Sequence, residues 1–406
     1  MTPEKAIQKK SLEKNDLEYV RTRKKKLPTE VDNIASEVKE ISRFIHSHPE
    51  LGSEEHQAYS LLVSKLKGNG VDVTEKFLGM DTAFLGKIGK GEPKIALFAE
   101  YDALPIGHAC GHNLIAAWAY GVTTAFAKSG LPRGTLYIVG SPAEEGRGKY
   151  ASSKTIIAPK LKELGVQAVF HVHPMGEWGI GGGALALTRL SFVFTGRDAH
   201  NAASPHQGLN ALDAAVQFYI QLRMMRTMVQ RDKDVIIGAV IVKGGTAPNI
   251  IPGTSEIWVD IRANDSEYVK ELTKRANDIA EGAAKMTGCS VKSSELAPRL
   301  DSAKRYPDLE EILYKHAMDY LPKVASPDLR WSRLPDASGD ISNVTQIIPT
   351  AGLLMKIGRE GLPGHSDEWR ECAGSPEAEE ALMTAIAIAY DSISEYLTTR
   401  GESDVD

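Results

Sequence analysis

The sequence predicts an α/β protein, with a mainly parallel sheet flanked by helices and a smaller inserted module of β-α-β-β-α-β order. Three observations carry that expectation. Short, wholly apolar runs such as Ile95-Ala96-Leu97-Phe98-Ala99 alternate with helical stretches, as parallel strands buried on both faces do. The pattern changes after the glycines Gly179, Gly181, Gly182 and Gly183. It changes back near residue 298, so one α/β layer encloses a second unit.

Taken in order, the apolar run at 95–99 reads as a buried strand. Residues 114–126 carry an Ala-rich helical pattern that stops at Gly130, and strands follow at 134–140 and 168–172. The insert reads as strand 190–194, helix 209–224, strands 235–242 and 254–261, helix 267–286 and strand 290–296. That order is the ferredoxin-like unit. The α/β layer resumes with a helix at 309–320, a strand at 352–357 and a helix at 376–398. The expected boundaries are therefore residues 1–185 and 298–406 for the α/β domain and 186–297 for the insert.

Composition narrows the function classes. A chain of 406 residues, 42% hydrophobic, can bury a large core without disulfides. Its net charge of −5 offers no general basic field for nucleic acid. Lys9-Lys10 and the run 21–26 are expected to be a solvated basic segment. Cys110, Cys289 and Cys372 are odd in number and widely spaced, which suits a reducing compartment rather than a disulfide framework. Met1-Thr2-Pro3-Glu4-Lys5 has no signal-peptide apolar core, and no uncharged stretch is long enough to span a bilayer. The expected setting is cytoplasmic, with a small-molecule substrate and neither nucleic acid nor membrane as partner.

In open α/β sheets, function gathers beyond the carboxyl ends of the strands. Four segments at such places are rich in metal-ligand residues: His108-Ala109-Cys110-Gly111-His112-Asn113, Pro142-Ala143-Glu144-Glu145-Gly146, His171-Val172-His173-Pro174 and Gly364-His365-Ser366-Asp367-Glu368. Thiolate, imidazole and carboxylate are the usual donors to zinc. Each segment alone is weak, since a loop histidine or a glutamate pair is commonly a solvated surface feature. Their shared position is the stronger signal. Adjacent glutamates can divide the work: one holds a metal, and its neighbour takes the proton of the water the metal activates. His171 and His173 lie two apart on a strand and so share a face, which leaves either as the donor.

The strings Glu100-Tyr101-Asp102-Ala103-Leu104-Pro105, 108–113 and 142–146 resemble the aminoacylase/carboxypeptidase G superfamily of co-catalytic metallopeptidases. The branch they look most like is that of the p-aminobenzoyl-glutamate hydrolases and dipeptidase-like amidohydrolases. Further matches are Gly196-Arg197-Asp198-Ala199-His200, Pro248-Asn249-Ile250-Ile251-Pro252 and Gly364-His365-Ser366-Asp367. The resemblance implies a zinc-exopeptidase-like fold and an insert that serves as a lid and dimerisation domain. It implies two divalent metal ions per subunit, Zn or Mn first and Co or Ni next. It implies Cys110 as the bridging ligand, with His112, Glu145, His173 and His365 completing the set. Glu144 matches the general base, Asn249 and Arg262 the substrate-binding pair, and His200 a donor to the oxyanion in a partner subunit's site. Many relatives have Asp where this chain has Asn113.

The implied activity is hydrolysis of the amide bond in a small N-acyl amino acid, a p-aminobenzoyl-glutamate-like compound or a dipeptide with a free carboxylate. The same donors and base would also serve hydrolytic deamination of an amino-substituted aromatic carboxylic acid. A catalytically dead, ligand-binding relative would not need Glu144 together with all five ligands.

Overall fold

The computed structural model describes residues 24–335 and 337–399. Lys9, Lys10, Arg21 and Arg23 of the basic segment lie outside the described residues. Two compact units emerge. The first comprises the chain up to Gly182, Lys304–Arg333 and the chain from Val344 onward; the second comprises Gly183–Ala303 and Leu334–Asn343.

Thirteen strands are described: β1 (Asp72–Glu75), β2 (Phe84–Lys90), β3 (Lys94–Ala99), β4 (Gly134–Gly140), β5 (Ala168–Met175), β6 (Gly179–Ile180), β7 (Ala186–Thr195), β8 (Ala199–His200), β9 (Ile236–Lys243), β10 (Ile250–Ile251), β11 (Thr254–Ala263), β12 (Ser290–Glu295) and β13 (Thr350–Lys356). The first unit holds a sheet in the order β1-β2-β4-β3-β5-β13-β6. Its four central strands, β4-β3-β5-β13, are parallel, and β1, β2 and β6 add antiparallel edges. The chain passes from β3 to β4 on one side, then crosses back to β5 on the other. That reversal opens a crevice at the carboxyl ends of β3, β4 and β5, the usual ligand site of such sheets.

Residue choice follows burial. β4 is buried at every position and β3 at all but its first, as its uninterrupted apolar run requires. The helix His112–Ser129 is buried from His112 to Phe126. It packs against the helices Ala35–Ser47 and Pro376–Thr399 and against β3, β4 and β5. Ala116, Ala117, Ala119 and Ala125 keep its surface small, so these neighbours approach closely.

The second unit is a four-stranded antiparallel sheet in the order β12-β7-β11-β9, with the helices Ala211–Met225 and Ser266–Thr287 packed on it. This is the ferredoxin-like order expected. Phe192, Phe194 and Phe218 form its aromatic centre, with ring centroids 4.6 and 5.8 Å apart. Asn210 caps the first helix through the Leu212 N–H at 3.0 Å, and Asp265 caps the second through the Glu267 N–H at 2.9 Å. The unit reaches beyond 186–297. Leu187 and Leu300 pair across a bridge, and Leu185 N–H donates to the Ala337 carbonyl at 2.9 Å. Residues 334–343, expected with the resumed α/β domain, therefore pack with the second unit.

Gly140 ends β4 where no side chain fits. A Cβ there would lie 2.3 Å from the Phe84 ring and 2.7 Å from the Tyr101 hydroxyl. Gly140→Ala is expected to destabilise the first unit by about 1–3 kcal/mol, the usual cost of overpacking. A thermal melt should show a midpoint lower by several degrees; an unchanged midpoint would mean that the Phe84 ring moves aside freely.

Candidate metal centre

The carboxyl end of β3 runs into Glu100, Tyr101 and Asp102, all buried. Asp102 then binds two other segments. Its Oδ1 lies 2.9 Å from Nδ1 of His112, and its Oδ2 accepts the Glu145 N–H at 3.1 Å. Nδ1 of His112 also lies 2.9 Å from the Asp102 carbonyl oxygen, so it carries the proton. Nε2 is left as a lone-pair donor, buried and without a hydrogen-bond partner among the described residues. His173 is arranged alike. Its Nδ1 lies 2.9 Å from the Pro174 carbonyl oxygen, and its Nε2 faces Cys110 Sγ at 3.6 Å.

Local backbone conformation makes these approaches possible. Gly111, between Cys110 and His112, has φ 84°, and a Cβ there would come within 2.8 Å of the Pro174 ring. Only glycine lets the start of the helix His112–Ser129 meet the end of β5. Ala143 and His365 are also left-handed, at φ 58° each. A non-glycine residue in that region costs about 1–3 kcal/mol and persists only where its surroundings impose it. Both stand at the site: Ala143 precedes the two glutamates, and His365 donates its backbone N–H to the Ala109 carbonyl at 3.0 Å.

Three overlapping donor groups result: Cys110, His112 and His173; Cys110, Glu145 and His365; and His112, Glu144 and Glu145. Within each, the donor atoms lie within 4.8 Å of one another. Cys110 belongs to two of them, as a shared ligand between two ions would. His365 Nε2 is 3.3 Å from Glu145 Oε1, and His112 Nε2 is 3.8 Å from Glu144 Oε2. His112 Nε2 and Glu145 Oε1 are both buried and face this space. A soft thiolate, three imidazoles and carboxylates suit divalent ions of the zinc type.

His171 belongs to none of the three groups. It is held neutral by burial, its pKa lowered to about 3. Two other participants, Lys154 and Glu55, carried no sequence signal. Glu100 is paired with the fully buried Lys154 at 2.9 Å, beside His112. Glu55 is buried, and its Oε1 accepts the Ala143 N–H at 2.9 Å. In sequence Glu55 stands within the polar stretch Gly52-Ser53-Glu54-Glu55-His56, which reads as a solvated turn. Asn113 has a structural place: its Nδ2 donates to Ser42 Oγ and to the Ala373 carbonyl, each at 3.0 Å.

His200, Asn249 and Arg262 lie in the second unit. His200 sits on β8, paired with β10 next to Asn249. Its Nδ1 accepts the N–H groups of Ala202 and Ala203 at 3.3 and 3.1 Å. The ring proton is thereby placed on Nε2, which makes His200 an exposed donor. Arg262 lies on β11 with Asp260 Oδ2 at 3.3 Å.

Residues 183–287 match the peptidase dimerisation domain of M20 enzymes. The human Xaa-Arg dipeptidase is 33% identical over 387 residues, which is 89% of this chain and 86% of the relative. The chain belongs to the M20 peptidase family. A p-aminobenzoyl-glutamate hydrolase polypeptide of Escherichia coli is 32% identical over 276 residues, 62% of this chain and 56% of that protein. Among solved structures, a dinuclear metal-binding M20 peptidase from Bacillus subtilis superposes with a TM-score of 0.67 at 21% identity, covering 91% of this chain and 99% of the other. This M20 peptidase is accordingly a metal-dependent amidohydrolase.

The electrostatics of the M20 site favour a cation. Burial opposes charge on His112, yet Asp102 and Cys110 outweigh it and hold the imidazole well above its usual range. Burial would likewise raise the Glu145 carboxyl, but His365 and His112 hold it well below the carboxylate range. Protons and metal compete for these atoms, so metal affinity weakens with acidity. Burial also pushes the Cys110 thiol up, but His112 and His173 bring it down to about 6. At neutral pH Cys110 is therefore largely thiolate, reactive unless a metal covers it. Chelation should increase its labelling by iodoacetamide, read by peptide mass spectrometry. Cys372, whose thiol burial pushes up, serves as a reference that should not respond. Equal labelling of Cys110 with and without chelator would remove it from the ligand set.

Proposed function

We propose that this enzyme is a dipeptidase-like amidohydrolase whose substrate is a small N-acyl amino acid, p-aminobenzoyl-glutamate-like compound or dipeptide with a free carboxylate. The observation that supports this best is the pair of donor groups sharing Cys110, with Glu144 beside them. Cys110, His112, Glu145, His173 and His365 hold two divalent ions in this reading, with zinc or manganese suiting the mixed donors. Bound there, such ions supply Lewis acidity toward the substrate carbonyl and lower the pKa of a water.

The protein's own groups do the rest. Asp102 keeps His112 in the tautomer that offers Nε2 and fixes the backbone of Glu145. The Glu144 carboxylate takes the proton of the attacking water as the carbon–oxygen bond forms. It returns that proton to the nitrogen as the carbon–nitrogen bond breaks, so acid and amine leave neutral in balance. Arg262 offers a guanidinium fork for the substrate carboxylate, with Asn249 as a second contact. His200 Nε2–H is a donor for the tetrahedral oxyanion.

Assembly as a homodimer through residues 186–297 accompanies this reading. Val216, Ile220 and Met224 form an exposed apolar stripe on the helix Ala211–Met225. That helix packs beside β9, which lies at the sheet edge and exposes Ile236, Val240 and Val242. An apolar helix stripe next to an open strand edge is suited to a self-complementary two-fold contact. Among the described residues no helix is long and apolar enough to cross a membrane. Three free cysteines fit a cytoplasmic setting.

A mass-spectrometric screen of metal-reconstituted protein against dipeptides, N-acyl amino acids and p-aminobenzoyl-glutamate tests the activity. Dipeptides with carboxyl-terminal arginine head the panel, after the Xaa-Arg dipeptidase relative. Glu144→Gln should keep its metal and lose about 10²–10⁴-fold in turnover. Turnover within a few-fold of the parent would exclude Glu144 as the base, and no cleavage of any panel member would overturn the substrate class.

The dimer has its own test. His200→Ala and Glu144→Gln subunits, each inactive alone, are dissociated, mixed and reassociated, with exchange confirmed by two tags. Activity should return, because one site of each heterodimer combines an intact Glu144 with the partner's intact histidine. Heterodimers as inactive as their parents would show that His200 does not act across the interface.

A further inference from the structure

Glu55 is a carboxylate that the mechanism does not use, and its contacts lead directly to the two glutamates. Its Oε1 accepts the N–H of Ser53 at 2.8 Å and of Ala143 at 2.9 Å, while its Oε2 accepts the Thr82 hydroxyl at 2.9 Å. The side chain is fully buried among these partners. Ala143 is left-handed, buried, and one residue before Glu144. Its carbonyl accepts the Ser152 N–H at 2.9 Å, which closes the loop behind the glutamates. The segment carrying Glu55 is anchored in turn. The Glu50 carbonyl accepts the Ala103 N–H at 2.7 Å, next to Asp102, and Ser53 Oγ accepts the Tyr150 N–H at 2.8 Å.

We propose that Glu55 is a positioning residue, whose buried carboxylate holds Ala143 in the left-handed conformation and thereby directs Glu144 and Glu145 into the donor cluster. An alanine at this point relaxes toward negative φ if its N–H loses that acceptor. Relaxation would rotate the following peptide and carry both glutamates away from His112. The inference rests on the proposed metal centre but not on the substrate.

The test is a cycle of variants read by Mn²⁺ titration of metal-depleted protein. Glu55→Ala should weaken Mn²⁺ binding by about 10- to 100-fold, as loss of an outer partner of a ligand does. Glu55→Gln keeps the Oε1 acceptor and should lose the least. Ala143→Gly placed in the Glu55→Ala protein should recover a substantial part of the lost affinity, because glycine adopts that conformation without a Cβ penalty. A purely stabilising role for Glu55 gives no reason for that rescue. Should Glu55→Ala fail to fold, Glu55→Asp takes its place in the cycle, since its shorter side chain withdraws the acceptor. Parent-like Mn²⁺ affinity in the truncated variant, or no recovery with glycine at 143, overturns the inference while leaving the metal centre intact. A parent that binds neither Mn²⁺ nor Zn²⁺ overturns both. Failure of the substrate screen alone touches neither.

Discussion

The Asp102 carboxylate links the end of β3 to the helix that begins at His112 and to the loop that carries Glu145. Both of its oxygens are used, one to fix an imidazole tautomer and one to hold a backbone N–H. Such a group is costly to bury unless fully hydrogen-bonded, so the strand end, the helix start and the loop must come together as a set. The crossing back of the chain between β4 and β5 is what makes that meeting possible. It leaves β3 between the strand that leads to the glutamates and the strand that carries the histidine.

Around this link the site tolerates conformations that an ordinary loop would avoid. Two non-glycine residues, Ala143 and His365, sit in the left-handed region, and Gly111 admits the proline after His173. Burial adds a second constraint. Glu55 is pushed by burial, and then by the Asp102 charge, up to about 7. Glu100 is held down to about 2 by the buried Lys154 ammonium and by His112, against the effect of burial. Two buried glutamates near one cation site thus hold opposite protonation tendencies, set by whether a lysine stands beside them. Removing Lys154 would leave Glu100 as an uncompensated buried charge.

The second unit solves a different problem with simpler means. Its four antiparallel strands and two capped helices form a core of their own around Phe192, Phe194 and Phe218. It presents His200 at the end of a short strand, and backbone amides of the turn that follows set the ring's tautomer, so a donor is prepared by local geometry alone. The apolar stripe of Val216, Ile220 and Met224 is exposed.

Much of this was legible in the sequence, because burial imposes a readable pattern. Apolar runs marked β3, β4 and β5, and a change of period marked the second unit with its β-α-β-β-α-β order. The donor-rich segments were legible as well, since thiol, imidazole and paired carboxylates seldom gather for other reasons. Short edge strands such as β1, with four residues, and β6, with two, were not, because so few residues carry no period. Nor was the return of residues 334–343 to the second unit, which depends on backbone hydrogen bonds to distant segments. The choice between His171 and His173 shows the division most clearly. Sequence spacing puts both on one face of β5, but only the packed structure brings one of them within 3.6 Å of Cys110. Glu55 and Lys154 were silent for the same reason. The sequence by itself determined which chemical groups are available and in which elements they stand. Tertiary structure decided which of them meet, because hydrogen bonds, desolvation and charge pairing act through space between segments far apart in the chain.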